Sequence, residues 1–185
     1  MKTFTSFLFA ALISLTLNAI TFSQELKPLL AMDNSLSQVQ VWLSKTIDKN
    51  STARSGNITD SISRVRFDGC NLSYKVGHET AMEPSPSQST APVKYYNWTT
   101  TLAFDLREMN IDGITMTPLI ANSNMLQLTL PALAGKQSVK FTTDGSLPTW
   151  NRSGFQSAAT MTISRGVAEE VKTRLALAAK LCQAP

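Results

Sequence analysis

Residues 94–106 read KYYNWTTTLAFDL, and Tyr96, Trp98, Thr100, Leu102, Phe104 and Leu106 all fall on even positions. Side chains alternate between faces along an extended chain, so this parity gives one long strand with most of its aromatic and aliphatic bulk on a single face. Such a face needs partners, and the flanking segments supply them. Upstream, Val65 and Phe67 alternate with charged residues, Asp68-Gly69 offers a tight turn, and Cys70, Leu72, Tyr74 and Val76 alternate again, which is hairpin patterning. Downstream, DGITMTPLI starts at a second Asp-Gly pair, MLQLTLP alternates Leu126, Leu128 and Leu130, and SVKFTTDG alternates Val139 and Phe141 up to a third. TMTIS, residues 160–164, supplies a last short strand.

Two helices bracket these strands. NSLSQVQVWLSKTIDKN opens with Ser35 and, three residues on, Gln38, the spacing of a capping box, and sets Leu36, Val39, Leu43 and Ile47 on one stripe. At the other end, VAEEVKTRLALAAKLC places Val167, Val171, Leu175, Ala178, Leu181 and Cys182 on one face, with Glu170 and Arg174 a turn apart on its border. Polar, glycine- or proline-bearing stretches read as connections: DKNSTARSGNITD after the first helix, HETAMEPSPSQSTAP before the long strand, and SLPTWNRSGFQS before the last one. The expected fold is α+β: a seven-stranded antiparallel meander, curled into a partly closed barrel, with a short N-terminal helix and a packed C-terminal helix.

Seven strands closed by a C-terminal helix are similar to the pleckstrin-homology-like arrangement, which implies a scaffold that binds lipids, peptides or proteins. The order of a tryptophan-bearing helix, the strand CNLSY, a long mixed strand and a closing helix ending LALAAKLC also resembles that of uncharacterised exported bacterial proteins of similar size. That second resemblance implies no activity.

MKTFTSFLFAALISLTLNAITFS, residues 1–23, sets Lys2 ahead of a long apolar run and then small residues, the pattern of a secretory signal peptide. The expected organisation is therefore a signal over 1–23 and a single α+β domain over 24–185, secreted or periplasmic, with no membrane span after cleavage. Two cysteines in an exported chain allow one intramolecular pairing, Cys70 with Cys182. The net charge of +4, or +3 without Lys2, is spread along the chain with no run of Lys or Arg, which gives no sequence footprint for nucleic acid. Asn-x-Ser/Thr triplets begin at Asn50, Asn57, Asn71, Asn97 and Asn151, a modest excess over the roughly two that the Ser and Thr content produces by chance, and so weak evidence for glycosylation.

Reactive constellations are scarce. His78 is the single histidine, and HETAM departs from the zinc-protease pattern at its fifth position, where Met82 stands, so no metal or other cofactor is expected; a cluster of His78, Glu79 and Glu83 is the nearest thing to a ligand set. No G-x-S-x-G elbow occurs, and Ser146 in DGSLP reads as a residue after a turn. Asp105 and Glu108, with Asp112 nearby, are the carboxylates that a hydrolase would use, with His78 as a helper. The binding candidates are aromatic: Tyr95 and Trp98 beside the proline-rich stretch, and Trp150 and Phe155 in the later loop, although parity assigns Tyr96 and Trp98 to the core face. The leading functional expectation is a non-catalytic exported domain that binds an apolar small molecule, a peptide or a partner protein. A hydrolase using surface carboxylates and a structural component of an envelope or extracellular assembly are the alternatives.

Overall fold

The computed structural model describes residues 35–55, 58–82, 94–119 and 124–185. The signal segment over 1–23 lies outside the described residues, as do Asn57, Glu83 and the proline-rich stretch from 84 to 92. Helix α1 spans Leu36–Asn50 and buries Val39, Leu43 and Ile47, the stripe that its spacing predicts. Helix α2 spans Arg165–Gln183. It buries Ala168, Val171, Leu175, Ala178, Ala179 and Cys182, so the buried face is turned slightly from the expected one: Ala168 and Ala179 go in and Leu181 stays out. α1 packs on α2, where the Arg174 guanidinium lies 4.3 Å from the centre of the Trp42 ring and its Nη2 bonds Glu170 at 3.0 Å.

Between the helices the described residues form nine strands rather than seven: β1 Thr52–Ser55, β2 Ile58–Asp68, β3 Asn71–Met82, β4 Lys94–Asp105, β5 Thr115–Pro118, β6 Met125–Pro131, β7 Val139–Gly145, β8 Arg152–Gln156 and β9 Ala158–Ser164. They form two open antiparallel sheets, six strands in the order β1-β2-β3-β4-β7-β8 and three in the order β5-β6-β9. The single, partly closed, pleckstrin-homology-like meander expected from the sequence does not form. After β4 the chain leaves for the second sheet, returns to lay β7 beside β4, and leaves again for β9. The two unexpected strands, β1 and β8, are the outer strands of the larger sheet. Each pairs on one side only and carries mostly small or polar residues, which is why their segments read as connections. β3 also runs on through His78 to Met82, into what reads as loop.

The core lies where α1, α2 and the smaller sheet meet one face of the larger sheet. Leu72 pairs with Phe104 and Tyr74 with Leu102, and these four, with Val139, Leu128, Leu130 and Ile163, are buried. The Tyr74 hydroxyl donates to the Thr160 carbonyl at 2.8 Å, joining β3 of one sheet to β9 of the other. A bulge in β2 shifts the register between Ser63 and Arg66, leaving Arg64 at φ 56° and turning Val65 into the core. The Val65 amide then donates to Asp48 Oδ1 of α1 at 3.2 Å.

Cys70 and Cys182 are joined, with their Cα atoms 5.8 Å apart, inside the range such bonds require. The bond pins the last turn of α2 to the β2–β3 turn. Beside it, the Gln183 side-chain amide reaches the carbonyls of Leu106, Arg107 and Met109 at 3.4, 3.3 and 3.0 Å.

Candidate functional site

β3 and β4 are long, and the core covers only part of them. On the core-facing side, successive cross-strand pairs along β3 and β4 are Leu72 with Phe104, Tyr74 with Leu102, Val76 with Thr100, His78 with Trp98 and Thr80 with Tyr96. Burial is complete at the first two pairs and falls away afterwards, so the same parity that fills the core carries Trp98 and Tyr96 past its edge, where they are half-buried. The sequence reading placed both on the correct face but not beyond the packed layer.

The chain from Gly145 to Asn151 folds back over this ledge. Ser146 N donates to the Asn97 carbonyl, a 3-10 turn over Pro148–Trp150 brings Trp150 N to the Leu147 carbonyl, and Gly145 N donates to Asn151 Oδ1, each at 2.9 Å. Trp150 thereby meets Trp98 edge to face, with ring centres 5.1 Å apart and planes at 69°, while Tyr96 stands 6.0 Å from Trp150. On its other side Trp98 stacks on His78, 4.7 Å between centres and 15° between planes. His78 Nδ1 donates to Asp60 Oδ1 of β2 at 2.7 Å, with the two side chains 22% and 28% exposed. The carboxylate fixes the imidazole in its ring plane, and the imidazole in turn supports the indole.

Two hollows share the Trp98–Trp150 wall. One, of about 380 Å³, is lined by Trp98, Thr100, Thr143, Thr149, Trp150 and Arg152; its floor carries the Thr100 and Thr143 hydroxyls, 3.1 Å apart. The other, of about 290 Å³, is lined by Thr80, Tyr96, Trp98, Leu147 and Trp150 and is more apolar. Sites for small molecules generally have volumes of ~300–1,000 Å³ and combine aromatic walls with a few placed polar groups, and the larger hollow meets both conditions.

Gly145 is what allows the wall to stand. A Cβ there would lie 2.9 Å from Trp150 Cβ and Cε3 and 3.2 Å from Trp98 Cβ. Gly145→Ala is therefore expected to push Trp150 off β7, at a cost of roughly 1–3 kcal/mol, and to weaken the near-ultraviolet circular dichroism of the tryptophan pair. An unchanged spectrum and melting point would show that the loop adjusts without moving the ring.

Of the residues singled out by sequence, Trp98 and Trp150 meet in this site. Phe155 does not join them: it sits 60% exposed on β8, opposite Lys140, on the other face of the sheet. Tyr95 pairs through its backbone with Ala81, and its side chain is outside the described part of the structure. The carboxylates proposed for hydrolysis lie elsewhere. Asp105 accepts from Arg107 Nε and Nη2 at 3.0 and 2.6 Å, and the Arg107 hydrogen bonds hold its carboxyl below the usual range. Glu108 accepts from Lys136 at 2.8 Å, which lowers it likewise. Asp105 stands seven positions along β4 from Trp98, the partner of His78, a distance of about 23 Å. Among the described residues no group of three His, Cys, Asp or Glu side chains is placed to hold a metal. Asp60, Thr143 and Arg152 were absent from the sequence reading, because only the strand register brings them to the aromatic wall.

These features define an α+β domain of two open antiparallel sheets clamped by a disulfide, with an aromatic hollow beyond the core. No protein-family model, curated protein or solved structure matches the chain.

Proposed function

We propose that this is an exported binding domain whose ligand is a small molecule with a flat ring face and polar substituents, seated against Trp98 and Trp150. The supporting observation is the tryptophan corner over a threonine floor. Indole faces carry negative quadrupole charge and attract the polarised C–H face of a saturated ring or the edge of an aromatic one. Thr100, Thr143 and Thr149 offer hydroxyls that both donate and accept, and Arg152 adds a cation that is free of ion pairs among the described residues. A recessed hollow of about 380 Å³ suits a small ligand better than the flat contact that a protein partner makes. The hydrolase alternative has less support, since Asp105 and Glu108 are occupied by cations far from His78.

Titration can be read at the tryptophans themselves, because the chain has three and only Trp42 lies away from the site, under Arg174. With D-glucose, D-glucuronate and 1-anilinonaphthalene-8-sulfonate as probes, at least one is expected to shift the indole N–H signals of Trp98 and Trp150 saturably while Trp42 stays still. Trp98→Ala and Trp150→Ala should each lower that affinity at least tenfold, the scale of a lost central aromatic contact. If all three probes leave both signals in place, or move Trp42 equally, the hollow is not a ligand site.

A further inference from the structure

We infer that the outer face of the six-stranded sheet, opposite the tryptophan hollow, carries a second site that takes a tetrahedral oxyanion, a sulfate or phosphate group, between Arg64, Arg66 and Lys75. These three cations, with Ser73, Tyr74 and Thr101, line a hollow of about 160 Å³, the scale of one such group rather than of an extended ligand. In the sequence they are scattered charges. The strand register assembles them: Arg66 pairs with Ser73, and Lys75 pairs with Ser63 on one side and Thr101 on the other.

The bulge supplies the third cation. In a regular β2, alternation would turn residue 64 inward with Ile62. The extra residue instead sends Val65 to the core and leaves Arg64 outward, beside Arg66. This places Arg64 at φ 56°, and it is the one residue other than glycine with positive φ among the described residues. Glycine adopts that conformation without strain, whereas arginine has neither glycine's freedom nor the short side chain with which Asn or Asp tolerates it. The Asp48 contact at Val65 accounts for the bulge but not for arginine at its strained position. Strained residues that the local packing does not require are a mark of binding sites.

The electrostatics point the same way. Among the described residues none of Arg64, Arg66 and Lys75 takes part in an ion pair. On the same face, Lys140 stands across Ala103 in the row of Arg66 and Ser73, adding positive charge. The carboxylates one row beyond the site on this face are Asp68 and Asp105 on one side, with Asp105 held by Arg107, and Asp144 on the other, two strands across from Lys75 on β7. Three clustered cations repel one another unless an anion sits between them. Guanidinium forks and an ammonium match the oxygens of a tetrahedral anion, and the Ser73 and Thr101 hydroxyls can donate to it as well.

The test is a titration of the folded protein at low ionic strength, followed by backbone amide signals, with inorganic phosphate, inorganic sulfate, glucose 6-phosphate and acetate. Phosphate and sulfate are expected to shift residues 64–66, 73–75 and 101 saturably, and acetate to bind at least tenfold more weakly. Arg64→Gly should lower phosphate affinity about tenfold and leave the melting point unchanged or higher, because the backbone strain is relieved; Lys75→Gln should lower affinity without the gain in stability. Tighter binding of glucose 6-phosphate than of inorganic phosphate marks an ester as the source of the anion, and equal binding marks the free ion. The proposal is overturned by an absence of saturable shifts at these residues, by acetate binding as well as phosphate, or by an Arg64→Gly protein that binds phosphate like the parent. None of these outcomes bears on the tryptophan hollow.

Discussion

Opening the Cys70–Cys182 bond, by reduction or in a Cys70→Ser/Cys182→Ser double variant, is expected to lower the unfolding free energy by about 4–5 kcal/mol. The sulfurs join residues 112 apart in sequence, and a crosslink closing a loop of that length removes this much chain entropy from the unfolded ensemble. Domains are stable by only ~5–15 kcal/mol, so the loss is a large share of the total. Where the bond sits matters as much as the length of its loop. Cys70 lies in the β2–β3 turn, whose Gly69 carbonyl accepts from Gln40 of α1 at 2.7 Å, and the Cys70 carbonyl accepts from Leu106 N at 2.9 Å. Cys182 is in the final turn of α2, where an unanchored helix frays. One corner therefore ties both helices to the central hairpin. Denaturant unfolding with and without reductant measures the loss, and amide exchange should show the last two turns of α2 opening first in the reduced protein. A midpoint that reductant does not move would mean that the helix is held by packing alone, through Val171, Leu175 and Ala178.

Several of these features are written in short-range pattern. The parity of residues 96–106 gives β4 and its buried face; the spacing of Val39, Leu43 and Ile47 gives the buried stripe of α1; two cysteines admit one intramolecular bond. Other features depend on relations that no local window contains. β1 and β8 are short outer strands whose residues are polar or small, so nothing in their periodicity separates them from loops. The division into two sheets turns on β5 and β6 leaving the larger sheet, a choice made by what each strand meets in the core. The bulge at Arg64 and Val65 has the widest consequence. Counting back from the turn pair Asp68 and Asn71 in unbroken register would set Asp60 opposite Glu79, on the outer face. The one-residue shift sets it opposite His78 instead, beside Trp98. The acid, imidazole and indole stack of the candidate site therefore exists because of a bulge four residues away, whose only visible trace in the sequence is that Ile62, Val65 and Phe67 do not keep a period of two.

The second large effect is expected at Tyr74, which lies across from that bulge and is 1% exposed. Tyr74→Ala should cost about 3–5 kcal/mol, since it removes a full aromatic side chain from a site walled by strands that cannot collapse into the space. Tyr74→Phe keeps the ring and removes one bond, from the hydroxyl to the Thr160 carbonyl, and should cost about 1–2 kcal/mol. The comparison separates packing from the polar link between the sheets. Burial pushes the Tyr74 phenol far above its usual pKa, so the hydroxyl stays a donor in the folded state at any pH where the protein is handled. Because the folded value is raised, unfolding is favoured as pH climbs past the ordinary phenol range near 10, where the unfolded chain ionises and the folded one does not. Parent stability should therefore fall above about pH 10 with a component that the Phe variant lacks, measured as the difference between the two melting curves across that range. Parallel curves, or a Phe variant as stable as the parent at neutral pH, would show that the hydroxyl adds nothing and that the two sheets are joined by apolar contact alone.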